Sequence, residues 1–138
     1  MKNINFILIL AILFPGLIFG QKKPADCRKI KEGIYYIYPP NYKAGFQLIR
    51  NGDTQIEINN TTKDSSFWKI QWPDDCTCYA KFIRKNVPES TEFLQFLNTH
   101  TAFFKVLSVT KDYYIFKIGL DSANNRENLI DTAWYKPR

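Results

Sequence analysis

Few side chains in this sequence of 138 residues offer reactive chemistry. Cys76 and Cys78 stand two residues apart, a spacing that would suit a redox or metal-binding pair. Asp74 and Asp75 form the only adjacent acidic pair, and carboxylates placed across a cleft can act as acid and base. His100 is the only histidine, the commonest general base. Redox, metal and hydrolytic chemistry are therefore the classes to weigh.

Each class lacks a partner that its chemistry requires. No serine lies in a Gly-x-Ser-x-Gly elbow, and no glycine-rich phosphate loop is present. Asp74 and Asp75 follow Pro73, where aspartate is common in turns. Three cysteines and one histidine in this arrangement do not make a four-ligand zinc site. An enzyme that uses Asp74 or Asp75 with His100 is the least favoured interpretation, and we predict no catalytic residue, metal or cofactor.

The cysteines are better suited to a structural role. Cys27, Cys76 and Cys78 allow three single pairings, each of which leaves one thiol over. We favour a Cys27–Cys76 disulfide, which closes a loop of about 50 residues and contributes about 3–4 kcal/mol in the chain-entropy model. Cys78 is then the free thiol, and it points to the same face of a strand as Cys76.

The N-terminus predicts export. Residues 1–20 have a basic start, an apolar run and a small residue at the end, as a cleaved signal peptide does. The run is too short for a membrane span of about 20 residues. Asp26 precedes the first cysteine, so no lipobox is present. We expect a secreted or periplasmic protein with a flexible leader over residues 21–26 and one β domain over residues 27–138.

Short alternating runs separated by turn residues predict the elements that position these side chains. Asn51-Gly52 is the strongest turn signal, since this pair suits a tight hairpin. In the following arm, Ile56 and Ile58 alternate with polar residues and predict one buried and one wet face. Asn86, with Glu89 three residues later, predicts the cap of one short helix. Strands are predicted over residues 34–38, 46–50, 54–59, 67–72, 76–83, 103–109, 113–120 and 129–135.

The spacing of these runs predicts the fold class. About eight strands near ten residues apart favour an all-β antiparallel barrel or sandwich, with a lipocalin-like barrel among the closed forms. Aromatic residues make up 16% of the chain, which suits a narrow interior packed with large rings. The formal charge of +6 is modest. An exported protein rarely meets nucleic acid, so we expect no nucleic-acid partner.

Three segments carry a resemblance to known proteins. They are Cys27-Arg-Lys-Ile-Lys-Glu-Gly33, Gln55-Ile-Glu57 and Trp72-Pro-Asp-Asp-Cys76. Their order resembles a group of small, uncharacterised secreted all-β proteins of Gram-negative bacteria, some of which carry a topoisomerase label that their length does not support. The resemblance implies a fold and an exported location, and no activity. It also implies that Cys78 replaces a residue that is usually aromatic.

Two function classes remain. The first is a binding module for a small apolar ligand or an envelope component, with Tyr35, Trp68 or Phe116 lining a pocket, because small barrels either fill with side chains or hold one ligand. The alternative is a structural or protein-interaction domain with a filled core and a tyrosine-rich surface. The tyrosines of that surface would be Tyr35, Tyr36, Tyr38 and Tyr42.

Overall fold

A computed structural model describes residues 26–40, 43–120 and 129–138 of the chain. The predicted signal peptide and nearly all of the predicted leader lie outside these ranges. Among the described residues, no helix is long and apolar enough to span a lipid bilayer.

Eight antiparallel strands form a closed barrel in which each strand pairs with the next along the chain. Pairing of Tyr36 and Ile37 in the first strand with Trp134 and Ala133 in the last closes the sheet. This confirms the all-β prediction and decides for a barrel over a sandwich. The strands are β1 Gly33–Ile37, β2 Phe46–Asn51, β3 Thr54–Asn59, β4 Ser65–Gln71, β5 Thr77–Lys85, β6 Ala102–Val109, β7 Tyr113–Leu120 and β8 Leu129–Trp134.

The hairpin between β2 and β3 turns at Gly52, as the sequence predicts. Asn51 pairs with Thr54, so Gly52 and Asp53 alone make the turn. The φ angle of Gly52 is +58°, a conformation that glycine adopts without a steric penalty. The turn fixes the register that places Arg50 directly opposite Gln55.

One end of the barrel is closed by the N-terminus of the described chain. A 3₁₀ turn, Cys27–Ile30, precedes β1, and we call this turn the plug. Ile30 is fully buried in the core, and Cys27 is bound to Cys76 in the β4–β5 connection, 49 residues along the chain. The predicted disulfide is therefore confirmed. The β2–β3 and β6–β7 turns lie at the same closed end.

The opposite, open end carries the only α-helix of the described residues, α1, Thr91–Thr99, between β5 and β6. Its N-terminal cap is Ser90, whose Oγ accepts a hydrogen bond from the amide of Phe93. The prediction that Asn86 is the cap is wrong. The side-chain oxygen of Asn86 instead accepts a hydrogen bond from the amide of Ser65 on β4, and Glu89 forms an ion pair with Lys85 on β5. Both side chains therefore interact with the sheet and not with the helix.

The interior of the barrel contains polar residues on β3. Gln55 is buried, and Glu57 faces a cavity. The prediction that Ile56 and Ile58 form the buried face is therefore wrong, because strand alternation puts them on the outside. The reason is that Arg50 on β2 lies inside the barrel and supplies Gln55 with a hydrogen-bond partner there.

Candidate functional site

A cavity of about 370 Å³ occupies the upper half of the barrel, on the open side of the core. Phenylalanine and branched aliphatic side chains make most of its wall, and a few polar groups lie among them. The lining residues are Ile37, Pro39, Pro40, Phe46, Leu48, Arg50, Gln55, Glu57, Phe104, Phe116, Ile118, Leu129, Ile130 and Asp131. An apolar wall with a small number of convergent polar groups is typical of small-molecule sites.

Arg50 forms the floor of this cavity. Its side chain is 4% exposed, and its guanidinium donates from Nε to Gln55 Oε1 at 2.8 Å and from Nη1 to the carbonyl oxygen of Ile30 at 2.9 Å. These bonds link the barrel wall to the plug. Aromatic faces surround the charge and stabilise it in place of water. The rings are those of Phe104 at 4.4 Å, Tyr35 at 5.1 Å, Trp72 at 5.7 Å and Tyr114 at 5.7 Å.

Glu57 lies one inward position above Gln55 on β3, towards the open end. Its Oε1 accepts a hydrogen bond of 2.9 Å from Gln55 Nε2, which completes a chain from Arg50 through Gln55. Burial raises the pKa of Glu57, and Gln55, Arg50 and Trp68 act in the opposite direction. The carboxyl group is therefore easier to protonate than an exposed glutamate.

The phenols beneath the cavity are held neutral. Burial raises the pKa of Tyr35 to about 12 even though the nearby Arg50 charge lowers it. The Tyr35 hydroxyl donates to the carbonyl of Glu32 at 2.5 Å, so it also anchors the plug. Burial likewise raises the pKa of Tyr114, which is fully buried and contacts the Tyr35 ring edge to face. These tyrosines support the floor and do not line the cavity.

The predicted ligand aromatics are distributed over several parts of the barrel. Phe116 lines the cavity, whereas Tyr35 lies below it. Trp68 faces inward between β3 and β5 and packs edge to face on Phe82, outside the cavity lining. Tyr36 alternates with Tyr35 and lies on the outer surface next to Trp134.

The predicted tyrosine surface does not form as one face. Tyr35 is 3% exposed inside the barrel, so it cannot share an exposed patch with Tyr36. Tyr38 is half-buried, and its hydroxyl accepts a hydrogen bond from the amide of Arg138. Tyr42 lies outside the described residues. The alternation of side chains along β1 is what separates the rings.

The residues considered for catalysis lie at opposite ends of the barrel. Asp74 accepts hydrogen bonds from the amides of Cys76 and Thr77 at the closed end, as turn aspartates do. Asp75 pairs with Lys31 at 2.7 Å. His100 follows α1 at the open end and stacks on Phe96. The arrangement that the enzyme interpretation requires is therefore not formed.

Cys78 lies in the core, where the sequence analysis placed a free thiol. It is fully buried, and burial raises the pKa of its thiol to about 11, which keeps it protonated and unreactive. Among the described residues, no three histidine, cysteine, aspartate or glutamate side chains are grouped to hold a metal ion.

A second, larger hollow of about 570 Å³ lies on the outside of the closed end. Its walls include Asp26, Lys29 and Lys111, side chains that are exposed to solvent. None of the described residues that line it is a buried polar residue, so it offers little that would select a ligand. We regard the cavity inside the barrel as the candidate site.

Sequence reasoning missed Arg50, Gln55 and Glu57 as site residues. Arg50 lies at the end of a hairpin arm, where a charged residue is ordinarily solvent-exposed. The available signal was the register of the hairpin, since the Asn-Gly turn places Arg50 opposite Gln55 and Leu48 opposite Glu57. A cation and a polar partner in one cross-strand pair indicate an internal network if that face is the inner one.

No protein-family model matches the chain, and no curated protein is significantly similar to it. The resemblance to small secreted proteins of Gram-negative bacteria stays a prediction.

Proposed function

We propose that this protein is an exported binding module that holds one small, largely apolar ligand, of envelope or environmental origin, inside its barrel. The observation that carries the proposal is the cavity of about 370 Å³ between Phe46, Leu48, Phe104 and Phe116. Its volume lies within the range of about 300–1,000 Å³ that small-molecule sites occupy. A protein with a filled core would have no such space at this position.

The covalent structure supports the exported location. The Cys27–Cys76 bond ties the plug to the β4–β5 connection, and such bonds persist in oxidising compartments such as the periplasm or the extracellular space. The predicted signal peptide is consistent with the same location. A closed end braced by a disulfide leaves the open end as the entrance for a ligand.

The direct test is to identify what the cavity holds. The protein is expressed with export, purified without denaturation, and extracted with organic solvent for mass spectrometry. A small molecule present at about one equivalent supports the proposal. If extracts from several hosts are empty, the apo protein is titrated with an environment-sensitive apolar fluorophore. Absence of saturable binding in that titration would contradict the proposal.

A variant that blocks the entrance locates the binding. Ile118 faces inward near the open end and is 37% exposed, so Ile118→Trp places a larger ring across the cavity without overpacking the core. We expect fluorophore binding to weaken about tenfold or more, because the apolar contacts are displaced. Lys117→Trp is the matched control, since Lys117 is the next residue on β7 and faces outward. Equal binding by both variants would place the ligand elsewhere.

A second candidate function is suggested by the outer surface of the first four strands. Ile34, Ile49, Ile56 and Phe67 are successive cross-strand partners and form one apolar row there. Ile34 is 48% exposed. Such a row can take part in contacts between proteins. Sedimentation of wild-type protein and an Ile49→Lys variant would test this function, which predicts a concentration-dependent oligomer only in the wild type.

A further inference from the structure

The charges inside the cavity carry information about the ligand. Among the residues that the structure places along its wall, the ionisable side chains are Arg50, Glu57 and Asp131. Arg50 contributes one positive charge, and the two carboxyl groups contribute two negative charges when ionised. The wall as a whole therefore favours a ligand that brings a positive charge.

Arg50 is engaged by the protein itself. Nε and Nη1 donate to Gln55 and to the backbone of Ile30, and four aromatic rings cover the guanidinium. An anionic ligand that approached this floor would have to displace those contacts. It would also pass Glu57, which lies nearer the open end than Arg50 does. The site is therefore poorly arranged for a carboxylate or a phosphate.

Glu57 has the capacity to accept more hydrogen bonds than the protein supplies. A carboxylate has about four lone-pair positions. Gln55 Nε2 occupies one of them through its bond to Oε1, and the indole N–H of Trp68 lies near enough to lower the pKa of the carboxyl group. A ligand donor in the cavity would meet a desolvated carboxylate, where charge-assisted hydrogen bonds are strongest.

Asp131 gives the opposite wall the same sign of charge. It lies on β8 directly opposite Phe116, whose ring faces the cavity. Its Oδ1 accepts a hydrogen bond of 2.7 Å from the amide of Thr132. Phe46, Phe104 and Phe116 add aromatic rings to the same wall, against which the apolar part of a ligand can pack.

We propose that the ligand is an amphipathic amine, whose protonated nitrogen donates a hydrogen bond to Glu57 while its apolar part packs against Phe46, Phe104 and Phe116. This inference rests on the proposed function, because it names the chemistry of the occupant of the same cavity. Asp131 strengthens the preference for a cation without a direct bond to it.

The test compares probes that share one apolar chain and differ in the head group. Decylamine, decanol and decanoate compete with an apolar fluorophore for the unmodified, exported protein at neutral pH. We expect decylamine to bind about tenfold more tightly than decanol, since the ammonium forms an ion pair with the Glu57 carboxylate whereas the hydroxyl forms only a hydrogen bond to it, and decanoate to bind most weakly. Decanoate binding as tightly as decylamine would overturn the inference.

The two proposals fail in different ways in this experiment. If decanol binds as tightly as decylamine, the cavity holds apolar ligands, and only the inference about the amine is wrong. If the fluorophore binds but none of the three probes displaces it, the inference about the amine is wrong. If the fluorophore itself shows no saturable binding, the proposed function is contradicted. The ranking needs no variant, so it decides the question even where a substitution prevents folding.

Two variants assign the preference to Glu57. Glu57→Gln keeps the volume of the side chain and removes its charge, and we expect it to weaken decylamine binding about tenfold and decanol binding by a smaller factor, because only the ammonium loses an ion pair. Glu32→Gln removes the same charge at an exposed residue before β1 and should change neither. Asp131→Asn should weaken decylamine binding by a smaller factor. An unchanged decylamine preference in Glu57→Gln would contradict the proposed contact.

Discussion

At the scale of single residues, Arg50 decides what the interior of the barrel can contain. A buried guanidinium must be compensated, because transfer of an unpaired charge from water to the interior is costly. Its hydrogen bonds to Gln55 and Ile30 and the rings of Phe104 and Tyr35 provide that compensation. The arginine in turn lets Gln55 and Glu57 lie inside. One cation thus makes an internal polar network tolerable.

Glu57 predicts how stability depends on pH. Its pKa is raised in the folded protein, so the folded state binds this proton more tightly than the unfolded state does. The stability that the proton contributes is complete below the ordinary carboxyl pKa and is lost as the pH rises through the raised value. The loss is about 1.4 kcal/mol for each unit by which the pKa is raised.

Urea unfolding of wild type and Glu57→Gln across the acidic range measures this effect. The free-energy difference between the two proteins should change with pH, with the wild type losing stability relative to the variant as the pH rises. Asp53 and Asp74, whose pKa values are lowered by Lys69 and by backbone amides respectively, act in the opposite sense. Both residues are present in both proteins, so their contributions cancel in the difference between the two free energies of unfolding. Parallel stability curves would show that Glu57 is not perturbed.

At the scale of elements, the sequence predicted where strands occur better than which face they bury. All eight strands agree with the predicted runs to within about two residues, because β-branched and aromatic residues alternate between clear turn signals. Ile56 and Ile58 were assigned inward because the more apolar face is ordinarily the buried one. A ligand-sized cavity with an internal arginine reverses that preference, and no local pattern reports it.

The start of helix α1 also could not be predicted from the local sequence. Both Asn86 and Ser90 are competent cap residues, and only the pairing of Asn86 with Ser65 on the neighbouring strand decides between them. The candidate site is less predictable from the sequence than the strands, because it too depends on contacts between residues that are distant in the chain. Phe116 was found because it is aromatic, whereas Glu57 is a site residue only through its inward position in the barrel register.

The plug predicts a stability effect at the element scale. The Cys27–Cys76 bond closes a loop of about 50 residues, so reduction should lower the free energy of unfolding by about 3–4 kcal/mol. Thermal unfolding with and without a thiol reductant measures the change. A Cys27→Ser, Cys76→Ser double variant is the control, because its stability should not respond to reductant. A response in that variant would assign the effect to something other than the disulfide.

At the scale of the whole molecule, closure of the barrel makes Cys78 a reporter of global opening. The thiol is fully buried on β5, which is hydrogen-bonded on both sides, and its raised pKa of about 11 suppresses reaction with alkylating reagents. The other cysteines are joined in the disulfide, so one label per molecule reports Cys78 alone. Reaction requires an opening that separates paired strands, and in a closed barrel that opening approaches complete unfolding.

Cys78 alkylation should therefore be slow in the native protein and should slow further when the cavity is occupied. A ligand that binds only the folded state reduces the open population by the factor 1 + [L]/Kd, or about a hundredfold at a hundred times Kd. Intact mass spectrometry over time, with and without decylamine, measures this ratio. If Cys78 reacts at a rate that ligand does not change while fluorophore displacement shows binding, β5 opens locally. The cavity and the part of the core around Cys78, near the closed end, would then unfold as separate cooperative units.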